Sequence, residues 1–501
     1  MDWNFDDSYT RLPEPFFTRV RPTPVKAPVI VVLNRRLAEA LGLDAQAPMG
    51  PEAAGMLAGN RRHPSSRPIA QAYAGHQFGH FTLLGDGRAH LLGEHLTPDG
   101  QRLDVQLKGS GVTPYSRRGD GRAALGPMLR ECLVAEAMHG FGIPTTRGLA
   151  VVATGETVFR ETPLPGAILT RVASSHIRVG TFEFAAALDA GVDIPGHSAP
   201  RAADGTYTRA LADYTVWRHY PALIGEPTRY ADLLRTVMER QAALVAAWMR
   251  VGFVHGVMNT DNMTVSGETI DFGPCAFVEQ YDPATVFSSI DVQGRYAFGN
   301  QGRMAQWNLA RFAETLLPLL DADPKAALAI AEQMIGEFPA LFERHFQTAM
   351  RSKLGLGNEE PDDPALIASL LDWMHRSRAD YTNTFRDLSS RVAMEDPQRA
   401  NPGFGRPDFM AWHARWTARL ARQPAHFEEA ALRMRGANPA VIPRNHRVEE
   451  AISAAVEAGD LTPTQRLLDI LADPCSETLD GSDYRQLPTR DQQVHETFCG
   501  T

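Results

Sequence analysis

Cysteine is scarce in this chain: Cys132, Cys275, Cys475 and Cys499 are the only four in 501 residues. Thiols so few and so widely spaced cannot form a disulfide framework, which points to a reducing compartment. Long apolar runs are missing too, since no stretch approaches the roughly 18 residues that a membrane-spanning helix needs. The N-terminus, MDWNFDDSYTRLPEPFF, has acidic residues where a signal or transit peptide needs basic ones, and it has no apolar h-region. Positive charge is in deficit, with 50 Lys and Arg against 59 Asp and Glu, a net −9. No global basic field is therefore present to attract nucleic acid or membrane. Repeats and low-complexity tracts are also absent. These absences predict a soluble, cytoplasmic protein with neither a nucleic acid nor a membrane as partner; a monomer is expected, though no absence requires it.

What remains is ordinary globular material, 44% hydrophobic and 22% charged. At about 150 residues per domain, the length fits two to four domains or one large two-lobed enzyme. The densest chemistry lies in Val254 to Pro274, VHGVMNTDNMTVSGETIDFGP. A histidine, two aspartates and two asparagines share this run with small residues, and it closes on Asp271-Phe272-Gly273. In kinases an Asp in such a step holds the magnesium that bridges nucleotide phosphates. The preceding residues, Tyr230 to Val251, carry Leu233, Leu234, Val237, Leu244 and Trp248 at helical spacing and read as a buried helix.

Upstream, residues 1–65 alternate proline-bearing segments with a strand at Pro28 to Leu33 and a helix at Arg35 to Leu41. Ile69 to Glu94 places five glycines among strand-forming residues, and Asp104 to Lys108 (DVQLK) reads as a strand ending in lysine. A glycine-rich hairpin followed by such a strand is how a kinase N-lobe covers and grips phosphates. Taken alone, Gly85-Asp86-Gly87 reads as a plain hairpin turn. After Lys108 come Gly-Ser-Gly, a second loop, RGDGR, at Arg118 to Arg122, and a helix from Leu125 to His139. Glu131 and Glu136 of that helix compete to pair with Lys108. Helical spacing puts Glu131 on the face shared with Ala135 and Met138, which selects it; solvated surface glutamates are the plainer alternative. A strand, a turn at Thr154-Gly155, a strand at Thr157 to Glu161 and another at Ala167 to Val172 complete an N-lobe sheet. Arg171 ends the last strand and Arg178 follows. Both could fork onto a phosphate, or be common surface arginines.

Beyond Gly180 the pattern is mostly helical: Phe182 to Ala190, Arg209 to Leu223, Met304 to Leu320, Pro324 to Met350, and more after Pro364. Val192 to Tyr207 reads as a polar loop. Asn438 to His446 (NPAVIPRNH) is a compact loop before a helix at Arg447 to Ala458, and the last fifteen residues read as extended. Against the kinase template HRD…N…DFG, the position of the base is occupied by Val257. Asn262 and Asp271 suit a metal-binding pair, and Asp261 precedes the former. One or two carboxylates or amides with water suffice for magnesium or manganese on nucleotide phosphates.

In order along the chain, GDGRA, LKGSG, RGDGRAAL, EAMHGFGIPTTR, HGVMNTDNM, DFGP and NPAVIPRNH resemble the selenoprotein O family of protein adenylyltransferases. The resemblance runs from about residue 5 to the C-terminus. It implies an α+β, protein-kinase-like two-lobed fold, with an antiparallel sheet in the N-lobe, a mainly helical C-lobe and family-specific extensions at both ends. The expected divisions are an N-terminal extension at 1–65, an N-lobe at 66–180, a helical C-lobe at 181–360 and a C-terminal extension at 361–501. The implied activity moves AMP from ATP onto Ser, Thr or Tyr hydroxyls of proteins, with Mg2+ or Mn2+ and the nucleotide flipped relative to kinases.

Carried over by residue, Gly85, Gly87 and Arg88 would form the nucleotide loop, and Lys108, paired with Glu131, would bind phosphate. Asp120, Gly121, Arg171 and Arg178 would complete the nucleotide site. Asn262 and Asp271 would hold the metal, with Asp261 as proton acceptor. Members with a redox-active C-terminus carry a second cysteine or a selenocysteine near the last one, and here Cys499 stands alone. Any redox role would need another molecule or a distant thiol, of which Cys275 is the candidate; a buried apolar cysteine is the plainer reading. Two other function classes are a kinase using Asp261 as base and a non-catalytic nucleotide-binding scaffold.

Overall fold

The computed structural model describes residues 3–44, 50–192, 205–391, 402–423 and 427–497. Among them, ten strands form one sheet in which every pairing is antiparallel, and all lie before residue 174. Its central run places Ala89–Leu96 beside Arg102–Lys108, then Pro163–Ala173, then Arg147–Phe159. The N-terminal segment does more than wrap this sheet. Phe17–Arg19 closes one end of the strand order and Val29–Leu33 the other, so the two edges are covered from within the chain.

Period-two alternation decides which side chains face the site. Val105 and Leu107 point into an apolar cluster with Leu149, Val152, Ile168 and Val172. Gln106 and Lys108 therefore project from the opposite face, and Arg171, which sits directly across from Gln106, projects with them. On that face lies the Leu125–Gly140 helix, which packs on the Arg147–Phe159 and Pro163–Ala173 strands and is backed by Asn445–Ala458 and Thr462–Leu471.

Two sequence expectations need correction. Thr154-Gly155 is not a chain reversal: the strand runs from Arg147 through Phe159, and Arg160–Thr162 makes the turn. Gly155 has φ +70°, and an added Cβ would lie 2.7 Å from that of Ala27, so the glycine admits the N-terminal segment beside a bulge. Gly85-Asp86-Gly87 is not a hairpin turn either. The reversal is at Phe78-Gly79, with both residues at positive φ, and Ile69–Gln77 pairs with His80–Gly85.

The helical part is built on Arg229–Val251, whose buried stripe includes Leu233, Leu234, Val237, Leu244 and Trp248. Gly252 stops it in the left-handed conformation, and the chain enters the Val254 to Pro274 run. Gln301–Leu320 and Pro324–Lys353 pack on this helix. The other helices match their expected positions to within a few residues: Val179–Asp189, Thr206–His219 and Asn445–Ala458. The polar loop expected at Val192 to Tyr207 lies mostly outside the described residues.

The NPAVIPRNH stretch is buried throughout, so its polar groups must find partners. Asn445 exchanges two 3.1 Å hydrogen bonds with the backbone of Phe277. Arg444 pairs with Glu279 and, at 3.0 Å, with Asp380. Burial pushes the Glu279 carboxyl up to about 7, against the pull of Arg444. That folded value exceeds the unfolded one, so the ionised form costs stability that is lost as pH rises towards 7. Removing Arg444 strips two buried carboxylates of their counter-ion. Arg444→Ala is expected to lose about 3–5 kcal/mol in denaturant unfolding, with a larger loss at pH 8 than at pH 5.

Candidate functional site

Lys108 sits at the last position of its strand, with Gly109 at positive φ turning the chain away. Its Nζ donates to Glu131 Oε2 at 2.6 Å and to Asp271 Oδ1 at 2.8 Å. Glu136 instead accepts from Arg147 at 2.6 Å, so the competition between the two glutamates is decided by the strand register. Arg171, nearly fully buried, bridges Gln106 Oε1 at 2.6 Å, Asp271 Oδ1 at 2.7 Å and Glu131 Oε1 at 3.2 Å. Arg178 reaches Asp271 Oδ2 at 3.5 Å and stacks over the Tyr73 ring at 4.2 Å.

Asp271 is thus the meeting point of three cations, and it holds φ +62°, uncommon for a residue with a side chain. Burial opposes its ionisation, but Lys108, Arg171 and Arg178 hold the carboxyl well below the usual carboxylate range. Asp261 is the contrast. Burial pushes its carboxyl up to about 6 despite Arg178, and its Oδ1 is buried with no hydrogen-bond partner. Strand residue Gly75 makes room for it: a Cβ there would fall 2.3 Å from Asp261 Oδ1.

The glycine-rich loops interlock around this centre. Gly109 N donates to Arg88 O at 2.7 Å, and Gly111 N donates to Gly121 O at 2.9 Å. Asp120 pairs with Arg160 at 2.9 Å, which fixes the RGDGR loop. Ser116 Oγ donates to Gly87 O. These loops and the Asp261–Asp271 segment enclose a cavity of about 660 Å³. Gly85, Gly87, Arg88, Lys108, Asp120, Gly121, Glu131, Arg171, Arg178, Asp261, Asn262 and Asp271 all line it. Cys275 does not: it is buried behind Phe272, donating its Sγ proton to Phe272 O at 3.5 Å. Cys499 lies outside the described residues. The described tail ends beside this segment, where Thr497 Oγ1 donates to Pro274 O at 2.5 Å.

Other residues of the wall escaped the sequence reading. Tyr73 supports Arg178, and Asn259 Oδ1 accepts from Phe78 N at 3.1 Å and Tyr296 OH at 2.5 Å. Asp86 is buried, and burial pushes its carboxyl up to about 6 while it accepts from Gln71 N at 3.0 Å and Gln106 Nε2 at 3.1 Å. Its place between two glycines was the one available signal.

Asn262 Nδ2 donates to Val257 O at 3.0 Å, which leaves the amide oxygen as the atom with which it could face a cation. Among the described residues, no three His, Cys, Asp or Glu side chains form a self-contained metal cage. The Asn262 amide and the Asp271 carboxylate nonetheless fit magnesium or manganese, hard ions whose remaining ligands are supplied by phosphate and water.

The sequence model of a family described as "Protein adenylyltransferase SelO" matches residues 1–472. The chain belongs to this family. It is 58% identical over 499 residues to the protein nucleotidyltransferase YdiU of Brevibacillus brevis, covering all of this chain and 98% of that protein. The corresponding figures for the YdiU of Geobacillus kaustophilus are 55% over 503 residues, with 100% and 99% covered, and for that of Nitrosococcus oceani 52% over 499 residues, with 100% and 97% covered. Family membership makes the chain a protein nucleotidyltransferase, and the cavity described above is its candidate active site.

Removing the Asp271 carboxylate would leave Lys108 and Arg171 sharing Glu131 and take from Arg178 its ion pair, an excess of buried cation. Asp271→Ala is therefore expected to lower unfolding free energy by about 2 kcal/mol or more, allowing for the partial exposure of that carboxylate. Inorganic pyrophosphate should raise the variant's melting temperature, read by calorimetry, because an anion replaces the missing charge.

Proposed function

We propose that this SelO-family protein transfers AMP from ATP to Ser, Thr or Tyr hydroxyls of other proteins, with Asp261 as the proton acceptor. The observation that carries the reading is the Asp261 carboxylate: buried on the cavity wall, one oxygen unpartnered, four residues after Val257, which occupies a kinase's base position. The substrate oxygen attacks the α-phosphorus as its proton passes to Asp261. The bond from that phosphorus to the α,β-bridging oxygen breaks, and pyrophosphate leaves.

Lys108, oriented by Glu131, and the forked donors of Arg171 and Arg178 hold phosphate oxygens. That basic floor suits phosphates better than adenine, which supports a nucleotide flipped relative to kinases. Gly85, Gly87 and Arg88, with Asp120 and Gly121, shape the rest of the nucleotide site. Asn262 and Asp271 would hold Mg2+ or Mn2+, which when bound neutralises charge on the phosphates. In this reading the sheet up to about residue 180 is the N-lobe of a kinase-like fold and residues 181–360 are its C-lobe. The extensions at 1–65 and 361–501 brace the two lobes. We take the protein to act as a cytoplasmic monomer. A γ-phosphoryl transfer reading has less support, because Val257 removes the usual base.

The test uses two labels. ATP tagged on adenine should label protein acceptors, and ATP labelled at the γ-phosphate should not; the reverse pattern would establish a kinase. Asp261→Ala should bind ATP as the parent does while transferring AMP roughly a hundredfold or more slowly. Unchanged turnover in that variant would remove Asp261 from the mechanism.

A further inference from the structure

The tip of the Ile69–Gln77 strand touches the catalytic loop through consecutive residues. His76 N donates to Thr260 Oγ1 at 2.7 Å, and Thr260 Oγ1 donates in turn to Glu183 Oε2 at 2.7 Å. Glu183 Oε1 lies 2.6 Å from His76 Nδ1, which closes the ring. With Nδ1–H donating to the carboxylate, every polar atom of this ring is satisfied. Next along the strand, the Gln77 side chain hydrogen-bonds the Asp261 carboxylate.

Three separate elements meet here: the strand, the Val179–Asp189 helix that carries Glu183, and the Thr260–Asn262 turn. Glu183 and Thr260 are buried, and the His76 ring is held edge-on between Phe81 and Trp307. Behind the ring lies a hollow of about 300 Å³ lined by His76, Glu183, Phe81 and Arg311, separate from the nucleotide cavity. None of these three ring residues lines the nucleotide cavity itself.

The backbone has no slack at this junction. A Cβ at Gly75 would fall 2.3 Å from Asp261 Oδ1, and one at Gly180 would fall 2.0 Å from Ala74 O and 3.2 Å from Asp261 Cα. Asp261 is wedged between strand and helix; Gln77 bonds its carboxylate, but Oδ1 has no hydrogen-bond partner. The backbone that carries it is held through its neighbour Thr260, whose side chain is bonded on both sides.

We infer that Glu183 and Thr260, closed into a ring by His76, are positioning residues that aim the Asp261 carboxylate at the acceptor hydroxyl. The inference rests on Asp261 being the proton acceptor. Effective molarity falls steeply with sub-ångström displacement of a reacting group, so a loosened ring lowers the rate of the chemical step and leaves nucleotide affinity alone.

The experiment compares Thr260→Val, Thr260→Ser and Glu183→Gln in the full chain, measuring kcat for AMP transfer, Kd for ATP and melting temperature. Thr260→Val and Glu183→Gln should lower kcat about tenfold or more, with Kd for ATP within about twofold of the parent. Thr260→Ser, which keeps the hydroxyl, should recover most of the loss. Placed in the Asp261→Ala background, Thr260→Val should cost nothing further, because the group it aims is gone. Unchanged kcat in Glu183→Gln overturns the inference. So does a parallel fall of kcat, ATP affinity and melting temperature that serine fails to rescue, or a full additional loss in the Asp261→Ala background. Failure of the underlying reading looks different: there, Asp261→Ala alone would keep its activity.

Discussion

The convergence of Lys108, Arg171 and Arg178 on Asp271 is the constraint on which the site depends. Each of these groups is costly to bury by itself, and the cost is offset only when all of them meet with their partners in place. Lys108 and Arg171 come from neighbouring strands, Arg178 from the start of a helix, and Asp271 from the loop that follows Arg229–Val251. The sheet register is therefore tied to the position of a loop that lies 163 residues from Lys108 and 100 from Arg171 in sequence. A slip of one residue in the pairing of Arg102–Lys108 with Pro163–Ala173 would turn Lys108 into the apolar cluster of Val105 and Leu107.

Charge is divided unequally between the two aspartates that flank Asn262 and end the loop. Asp271 faces three cations and stays ionised, whereas Asp261 is crowded by Gly75 and Gly180 and held up near 6 by burial. Neighbouring carboxylates with environments that push them apart can take different roles, one as a fixed anion and one as a proton acceptor. The small residues at 75 and 180 are what make the second environment possible. Larger side chains there would move Asp261 towards solvent and remove the desolvation that raises its pKa.

Much of this was legible in the sequence because the relevant signals are local. A lysine at a strand end, glycine clusters between strands, and an Asn and Asp nine residues apart each announce a backbone geometry. Helix periodicity chose Glu131 over Glu136, and the pairing of Glu136 with Arg147 gives the reason in three dimensions. What the sequence hid depends on contacts between distant segments. Gly155 looks like a turn residue until Ala27 is seen against it, and Gly85-Asp86-Gly87 looks like a hairpin until the reversal is found at Phe78-Gly79. The ring of His76, Thr260 and Glu183 joins three segments that have no shared pattern along the chain.

The last described residues help keep the Asp271 segment in place. Residues 274–279, just past Asp271-Phe272-Gly273, are gripped from three directions: Thr497 on Pro274, Asn445 on Phe277, and Arg444 on Glu279. A left-handed Asp271 persists only where surrounding structure over-determines it. The cations fix its side chain, and these three contacts fix the backbone that follows. The buried NPAVIPRNH loop, none of whose residues lines the cavity, thus acts on the site by holding the exit of its left-handed aspartate.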